Sequence, residues 1–514
     1  LTLAANQNYP EAQYIFGTFY YNGEYVEQNI NKSIHYFTLA ANQNHLMAQF
    51  YLSFIFYEGE YVERDIYKSI HYLTLAANQN YPEAQYNLGV IYYKGEYVEQ
   101  NIHKSIHYYS LAANQNHPIA QFYLGDIYYK GQYVERDINK SIHYLTLAAN
   151  QNHLIAQFFL SFIYYRDEYV KRDIYKSIHY LTLAANQNYL KAQFYLGAIY
   201  YKCEYVERDI YKSIHYFTLA ANQNHPEAQF YLGAIYYFGE YIEQDINKSI
   251  HYLTLAANQN YPEAQYIFGT FYYNGEYVEQ NINKSIHYFT LAANQNHLMA
   301  QFYLSFIFYE GEYVERDIYK SIHYLTLAAN QNYPEAQYNL GVIYYKGEYV
   351  EQNIHKSIHY YSLAANQNHP IAQFYLGDIY YKGQYVERDI NKSIHYLTLA
   401  ANQNHLIAQF FLSFIYYRDE YVKRDIYKSI HYLTLAANQN YLKAQFYLGA
   451  IYYKCEYVER DIYKSIHYFT LAANQNHPEA QFYLGAIYYF GEYIEQDINK
   501  SIHYLTLAAN QNYP

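Results

Sequence analysis

The sequence predicts an all-α stack of helix-turn-helix repeats, and three observations predict it. Residues 1–252 recur without change as 253–504, and residues 505–514 repeat 1–10. Within each block one pattern returns seven times, as Lys32, Lys68, Lys104, Lys140, Lys176, Lys212 and Lys248 show at a constant step of 36. Fixed periods of this size mark architectures in which each unit buries its apolar face only against its neighbours. Every unit also offers two helical apolar patterns and no alternating strand pattern. The expected organisation is about fourteen repeats: seven in 1–252, seven in 253–504, and the start of a further block in 505–514.

One repeat, residues 10–45, shows why each element forms. Pro10 suits the first position of a helix, where a missing N–H costs nothing, and Pro82, Pro118 and Pro226 fill the same slot. The first helix is predicted over residues 10–22, with Ala12, Phe16, Phe19 and Tyr20 on one face and Tyr14, Thr18 and Tyr21 opposite. Gly23 is placed for a left-handed stop, as are Gly59, Gly95, Gly131 and Gly239. Asn29, which is Asp65, Asp137, Asp173, Asp209 or Asp245 elsewhere, is placed to cap the second helix. That helix carries the stripe Ile30, Ile34, Phe37 and Ala41 and closes at Asn44, a residue type that tolerates left-handed geometry. Gly17, replaced by Ser53 or Ser161 in two repeats, costs about 1 kcal/mol in mid-helix relative to Ala. Its recurrence implies a close approach of two helices, as does the pair Ala40 and Ala41.

Composition narrows the function. With 52% apolar or aromatic residues, stacking can bury a continuous core along the chain. The net charge of −12, with 46 acidic against 34 Lys and Arg residues, lacks the clustered cations that nucleic-acid phosphates require. No apolar run approaches the roughly 20 residues of a membrane span, and the compartment stays open. The two cysteines, Cys203 and Cys455, are one position in two blocks and make no disulfide framework. A start at Leu1, inside a second helix, and a stop at Pro514, opening a first one, suggest a window on a longer array or an end-to-end filament.

The pattern of Ala12, Phe16 with Gly17, Tyr20, Gly23, Val26, Asn29, Lys32, Tyr36 and Ala40–Ala41 resembles the Sel-1-like repeat, a relative of the tetratricopeptide repeat. The resemblance covers the whole chain. It implies a right-handed α/α superhelix serving as adaptor or scaffold for protein complexes, with no catalytic residues to carry over. His35, Leu39 and Asn44 depart from the family's usual types, and Asp167 and Cys203 replace the loop glycine.

Three constellations invite sharper readings. His35, His71, His107, His143, His179, His215 and His251 occur once per repeat, whereas a metal site needs several ligands around one ion. They read as helix-face histidines, and no cofactor is expected. Glu24, Glu27 and their copies read as a solvated acidic edge, with attraction of a basic partner as the alternative. Tyrosine is abundant, at 81 residues with no Trp. The uniform series Tyr21, Tyr57, Tyr93, Tyr129, Tyr165, Tyr201 and Tyr237 is either inter-repeat packing or a surface for a protein partner.

No nucleophile elbow, phosphate-cradling loop or kinase motif is present. The expected function is a non-enzymatic structural or scaffolding solenoid; the rival is a signalling or quality-control adaptor holding one partner in its groove. Treatment with a chelator is expected to leave helicity and melting temperature unchanged; a large loss of stability, followed by circular dichroism, would restore the metal reading of the His35 series.

Overall fold

The structure, a computed structural model, describes residues 5–511 except 167, 169, 203–205, 240, 419, 421, 455–457 and 492. The loop departures at Asp167 and Cys203 lie outside the described residues. The fold is all-α: 28 helices, two per repeat, and no strand among the described residues. They fall into two compact units, Leu1–Gln259 and Asn260–Pro514. Unit 1 holds α1 (Pro10–Asn22), α2 (Ile30–Ala41), α3 (Leu46–Glu58), α4 (Ile66–Asn78), α5 (Pro82–Lys94), α6 (Ile102–Asn114) and α7 (Pro118–Lys130). It continues with α8 (Ile138–Asn150), α9 (Leu154–Arg166), α10 (Ile174–Asn186), α11 (Leu190–Lys202), α12 (Ile210–Asn222), α13 (Pro226–Phe238) and α14 (Ile246–Asn258). Unit 2 repeats the series from α15 (Pro262–Asn274) to α28 (Ile498–Asn510). The junction of the sequence blocks, after residue 252, falls inside α14, because each block begins in mid-helix.

Local chemistry sets the ends of these helices. Asp65 accepts the Lys68 N–H at 2.9 Å, and Asn29 accepts that of Lys32 at 3.0 Å, so a free donor at the start of each second helix is satisfied. Ten first helices end at a left-handed glycine: Gly131 has φ 60° and donates to the Ile127 carbonyl at 3.1 Å. Second helices end at a left-handed asparagine, as at Asn116 with φ 63°. Its side chain makes this geometry tolerable without glycine.

Each first helix packs on its own second helix, and within each unit each second helix packs on the first helix of the next repeat. The core therefore straddles repeats. Between α6 and α7 it comprises Tyr109, Ala112 and Ala113 on one side and Ala120, Leu124 and Ile127 on the other. Full burial of a side chain such as Leu124 contributes about 1.5–3 kcal/mol. Of the expected second-helix stripe, Phe37 and Ala41 are buried while Ile30 and Ile34 are half-buried. On α1 the fully enclosed positions are Ala12, Gln13 and Gly17, with aromatic rings half-buried around the rest of the circumference.

Two polar contacts recur inside this packing. The Ser33 hydroxyl, fully buried, donates to the Gly17 carbonyl at 2.8 Å, joining the two helices of one repeat. Ser105, Ser213 and Ser249 do the same to Gly89, Gly197 and Gly233. The second contact joins neighbouring repeats. The Gln49 side chain, fully buried on α3, donates Nε2–H to the Ala41 carbonyl at the end of α2 at 3.1 Å. Its Oε1 accepts from Gln79, just past α4, at 2.7 Å. Gln85 with Ala77 and Gln115, and Gln121 with Ala113 and Gln151, repeat the arrangement.

The close approach expected at Gly17 is present, and its partner explains the serine exceptions. A Cβ on Gly89 would lie 2.5 Å from Cδ1 of the buried Tyr109, and one on Gly17 would lie within 2.4 Å of Phe37. Serine occupies this slot at Ser53 and Ser161 and at their copies Ser305 and Ser413, where the residue twenty positions on is leucine rather than a ring. Leucine also faces glycine at Gly125 and Gly233, but no serine faces a ring. Changing Gly89 and its copy Gly341 to Ser is expected to cost about 1–3 kcal/mol locally through overpacking. Adding Tyr109→Leu and Tyr361→Leu should recover most of that loss, because the Ser–Leu pair already exists in the array. Hydrogen exchange across α5 and α6 measures the cycle; strictly additive effects would contradict the proposed coupling.

Candidate interaction surfaces

The Tyr21 series sits in the last turn of the first helices, and all seven rings are half-buried. Most of each ring is used between repeats. Tyr21 lies edge-on to Tyr51 of the next repeat at 6.1 Å, and Tyr129 to Phe159 at 4.8 Å. Tyr93 meets Tyr123, and Tyr201 meets Tyr231, in the same way. Tyr57 packs on the core that contains Leu73, and Tyr237 lies edge-on to Phe238. The backbone is engaged too: Gln28, Gln100 and Gln244 donate Nε2–H to the carbonyls of Tyr21, Tyr93 and Tyr237, pinning the loop that follows. Tyr165, like Tyr129, also lines a cleft.

That cleft, about 270 Å³, lies between α9 and α11 with α10 beneath. Leu181 and Ser177 face it from α10, and Phe162, Tyr195 and Ala198 line its sides. Arg166, Lys202 and Glu227 supply charge. Unit 2 has the same cleft at about 310 Å³, lined by Phe414, Tyr417, Arg418, Tyr447, Ala450 and Lys454 among others. A smaller one, about 240 Å³, carries Glu310 where this one carries Arg418. The openings follow the sequence: Ala198 stands where Phe54 and Phe162 stand in other repeats, so ring volume is missing there.

A third feature was not anticipated. In every repeat the ring at the Tyr20 position lies parallel to the ring at the Tyr36 position, at 5.9 Å and 3° for that pair. The lysine of the 36-residue series completes it, with Lys32 Nζ 5.1 Å from the Tyr20 centroid. Lys104 over Tyr92, and Lys140 over Tyr128, do the same. Such cation–ring contacts contribute about 0.5–1 kcal/mol at exposed sites. The His35 series is exposed and lies edge-on to the neighbouring tyrosine, as His35 does to Tyr36 at 5.4 Å. Among the described residues no group of three metal-binding side chains comes together.

Comparison with known proteins agrees with this architecture. The family model described as Sel1 repeat matches fourteen consecutive windows, from residues 10–45 to residues 478–513. The chain belongs to the Sel1 repeat family. A protective antigen of uropathogenic Escherichia coli strains displaying an SLR fold superposes with a TM-score of 0.61 at 24% identity, over 93% of this chain and 96% of that one. A Sel1 repeat protein from Oxalobacter formigenes superposes with a TM-score of 0.51 at 30% identity, over 59% of this chain and 88% of that one. No curated protein matches the sequence. Sel1 repeat proteins are typically non-enzymatic scaffolds, and the fold is generally used for protein–protein interaction. Among the described residues no helix is long and apolar enough to cross a membrane.

A second histidine series caps first helices of these Sel1 repeats. His117 caps α7, its Nδ1 accepting the Ala120 N–H at 3.2 Å while its ring stacks on Tyr86 at 4.8 Å. Burial lowers the pKa of His117, His153, His225, His297, His369, His405 and His477, and at four of them a nearby glutamate (Glu83, Glu263, Glu335 or Glu479) partly opposes the shift. The fold thus holds these rings neutral, so their contribution is complete above the unfolded value of about 6.5 and is lost as pH falls through the depressed folded values. Asp65, Asp137, Asp209 and Asp245 are also lowered, first by the backbone N–H each accepts, so a second loss begins below about pH 4. Melting temperature is expected to be flat from about pH 8 to 7 and to fall below about pH 6.5. Replacing these histidines by Tyr, which already fills the position at Tyr81 and Tyr189, should flatten the upper step. An unchanged pH profile in that variant would contradict the capping role.

Proposed function

We propose that the chain is a non-enzymatic, multivalent scaffold for protein partners, working as a rod or filament segment. One observation carries this reading. Side chains that differ between repeats inside a block are reproduced without change in the other block, so every surface offered by residues 1–252 is offered again by residues 253–504. Duplication of this kind multiplies binding valency. A catalytic site gains nothing comparable from it. The partners are proteins or further copies of this chain, joined end to end, rather than nucleic acid; the net charge of −12 supports that choice. The solvent-facing edges of Tyr21, Tyr57, Tyr93, Tyr129, Tyr165, Tyr201 and Tyr237 are the proposed contact points, since tyrosine combines apolar area with a polar tip. A second reading, a soluble signalling or quality-control adaptor, is supported by the cleft beside Tyr165.

Crosslinked native assemblies, weighed particle by particle, test the proposal. Masses are expected to rise above the 61.5 kDa chain in two equal partner increments or as a polymer series. Saturation after one increment would contradict multivalency, and a lone 61.5 kDa species would contradict the scaffold reading.

A further inference from the structure

In an array of near-identical repeats, a side chain present in every unit does not distinguish one unit from another. Individual recognition must come from positions that vary. Repeats five and six hold the sharpest variation in charge. Lys171 stands where the other six repeats of the block carry Glu, and Lys191 stands where Glu11, Glu83 or Glu227 stand elsewhere. Residues 166–202 contain six Lys or Arg against three Asp or Glu, in a chain whose net charge is −12.

The cleft lies within this stretch. Its rings are partly open, with Phe162 and Tyr195 each 37% exposed and packed edge-on to one another at 5.6 Å. Arg166 and Lys202 are exposed and form no ion pair among the described residues. Beneath them the buried Ser177 hydroxyl has no hydrogen-bond partner among the described residues. Ser141 shares that last property without lining this cleft, so the hydroxyl alone does not mark a ligand. Charge and open aromatic surface together do.

We propose that this cleft, and its copy beside Arg418 in unit 2, each receive one bulky aromatic side chain from an acidic segment of a partner protein. The volumes of about 270 and 310 Å³ stand at the small end of ligand sites, which run from about 300 to 1,000 Å³. They suit a single large side chain. The ring enters against Phe162, Tyr195 and Leu181, and flanking carboxylates meet Arg166 and Lys202. Glu227, on the α13 side, disfavours a uniformly anionic ligand. The smaller cleft with Glu310 is the internal contrast, because the same groove there presents the opposite charge. This inference rests on the protein-scaffold reading and names the partner chemistry.

The test uses the full chain and a fluorescein-labelled peptide with one phenylalanine flanked by glutamates. Control peptides replace the phenylalanine by alanine or the glutamates by lysine. Two protein variants borrow residues that the array already tolerates: Ala198→Phe with Ala450→Phe fills the cleft as Phe54 and Phe162 do, and Arg166→Glu with Arg418→Glu installs the residue present at Glu58. Helicity should be unchanged in both. Fluorescence anisotropy is expected to show saturable binding of the acidic phenylalanine peptide, weakened by salt and reduced roughly tenfold or more in each variant. Absence of binding, equal binding of the lysine peptide, or full binding by the filled variant would overturn the proposal. So would polyuridylate RNA that binds the wild type and loses affinity in the same variants. If partner increments still appear on crosslinked native chain while this peptide fails, the cleft assignment is wrong and the scaffold reading stands.

Discussion

A buried glutamine amide fixes how one repeat sits on the next. Gln121 donates to the Ala113 carbonyl at the end of the preceding second helix and accepts from Gln151 at the end of its own, so one side chain ties three helix ends. The Ala113 carbonyl belongs to the last turn of α6, where carbonyls lack partners within the helix. An apolar contact could slide along the groove. This amide bond cannot, because a shift of one residue would leave the buried Gln121 amide unpaired, whereas the Ala113 carbonyl keeps the Asn116 N–H at 3.0 Å. Paired alanines on the second helix and a glycine or serine on the first then allow the approach that such short bonds demand.

The fold was largely legible, because the chain supplies its own alignment of repeats. Period, helix limits, the Asn29 cap, the left-handed Gly23 and Asn44, and the narrow contact at Gly17 all follow from local rules, and the structure reproduces them. What stayed hidden depends on partners distant in sequence. Glutamine is usually exposed, and Gln49 meets Gln79 thirty residues away, so burial cannot be read from its neighbours. Its identity in every repeat, beside an invariant alanine, was the available signal. Ser33 lies in no nucleophile elbow, and its structural role as a helix-to-helix donor needed Gly17 in space. The capping histidines were obscured because tyrosine alternates with them.

The candidate site was less legible than the fold. Uniform tyrosines drew notice through their number, yet the structure spends much of each ring on the next repeat. The cleft arises from absences, an alanine where others have phenylalanine and a leucine where others have a ring. Composition does not display absences. The division of labour is nonetheless simple: invariant positions build the stack, variable positions give it local identity, and duplication presents each variable surface twice.

The stacking claim is tested most directly by hydrogen exchange on the full chain carrying Gln121→Leu and Gln373→Leu, substituted together because the two blocks yield identical peptides. The account predicts faster exchange confined to α6, α7, α8 and their copies, with a local loss of about 0.5–1.5 kcal/mol for each side-chain hydrogen bond removed. Exchange unchanged in these helices would show that apolar packing alone sets the register and would contradict the account.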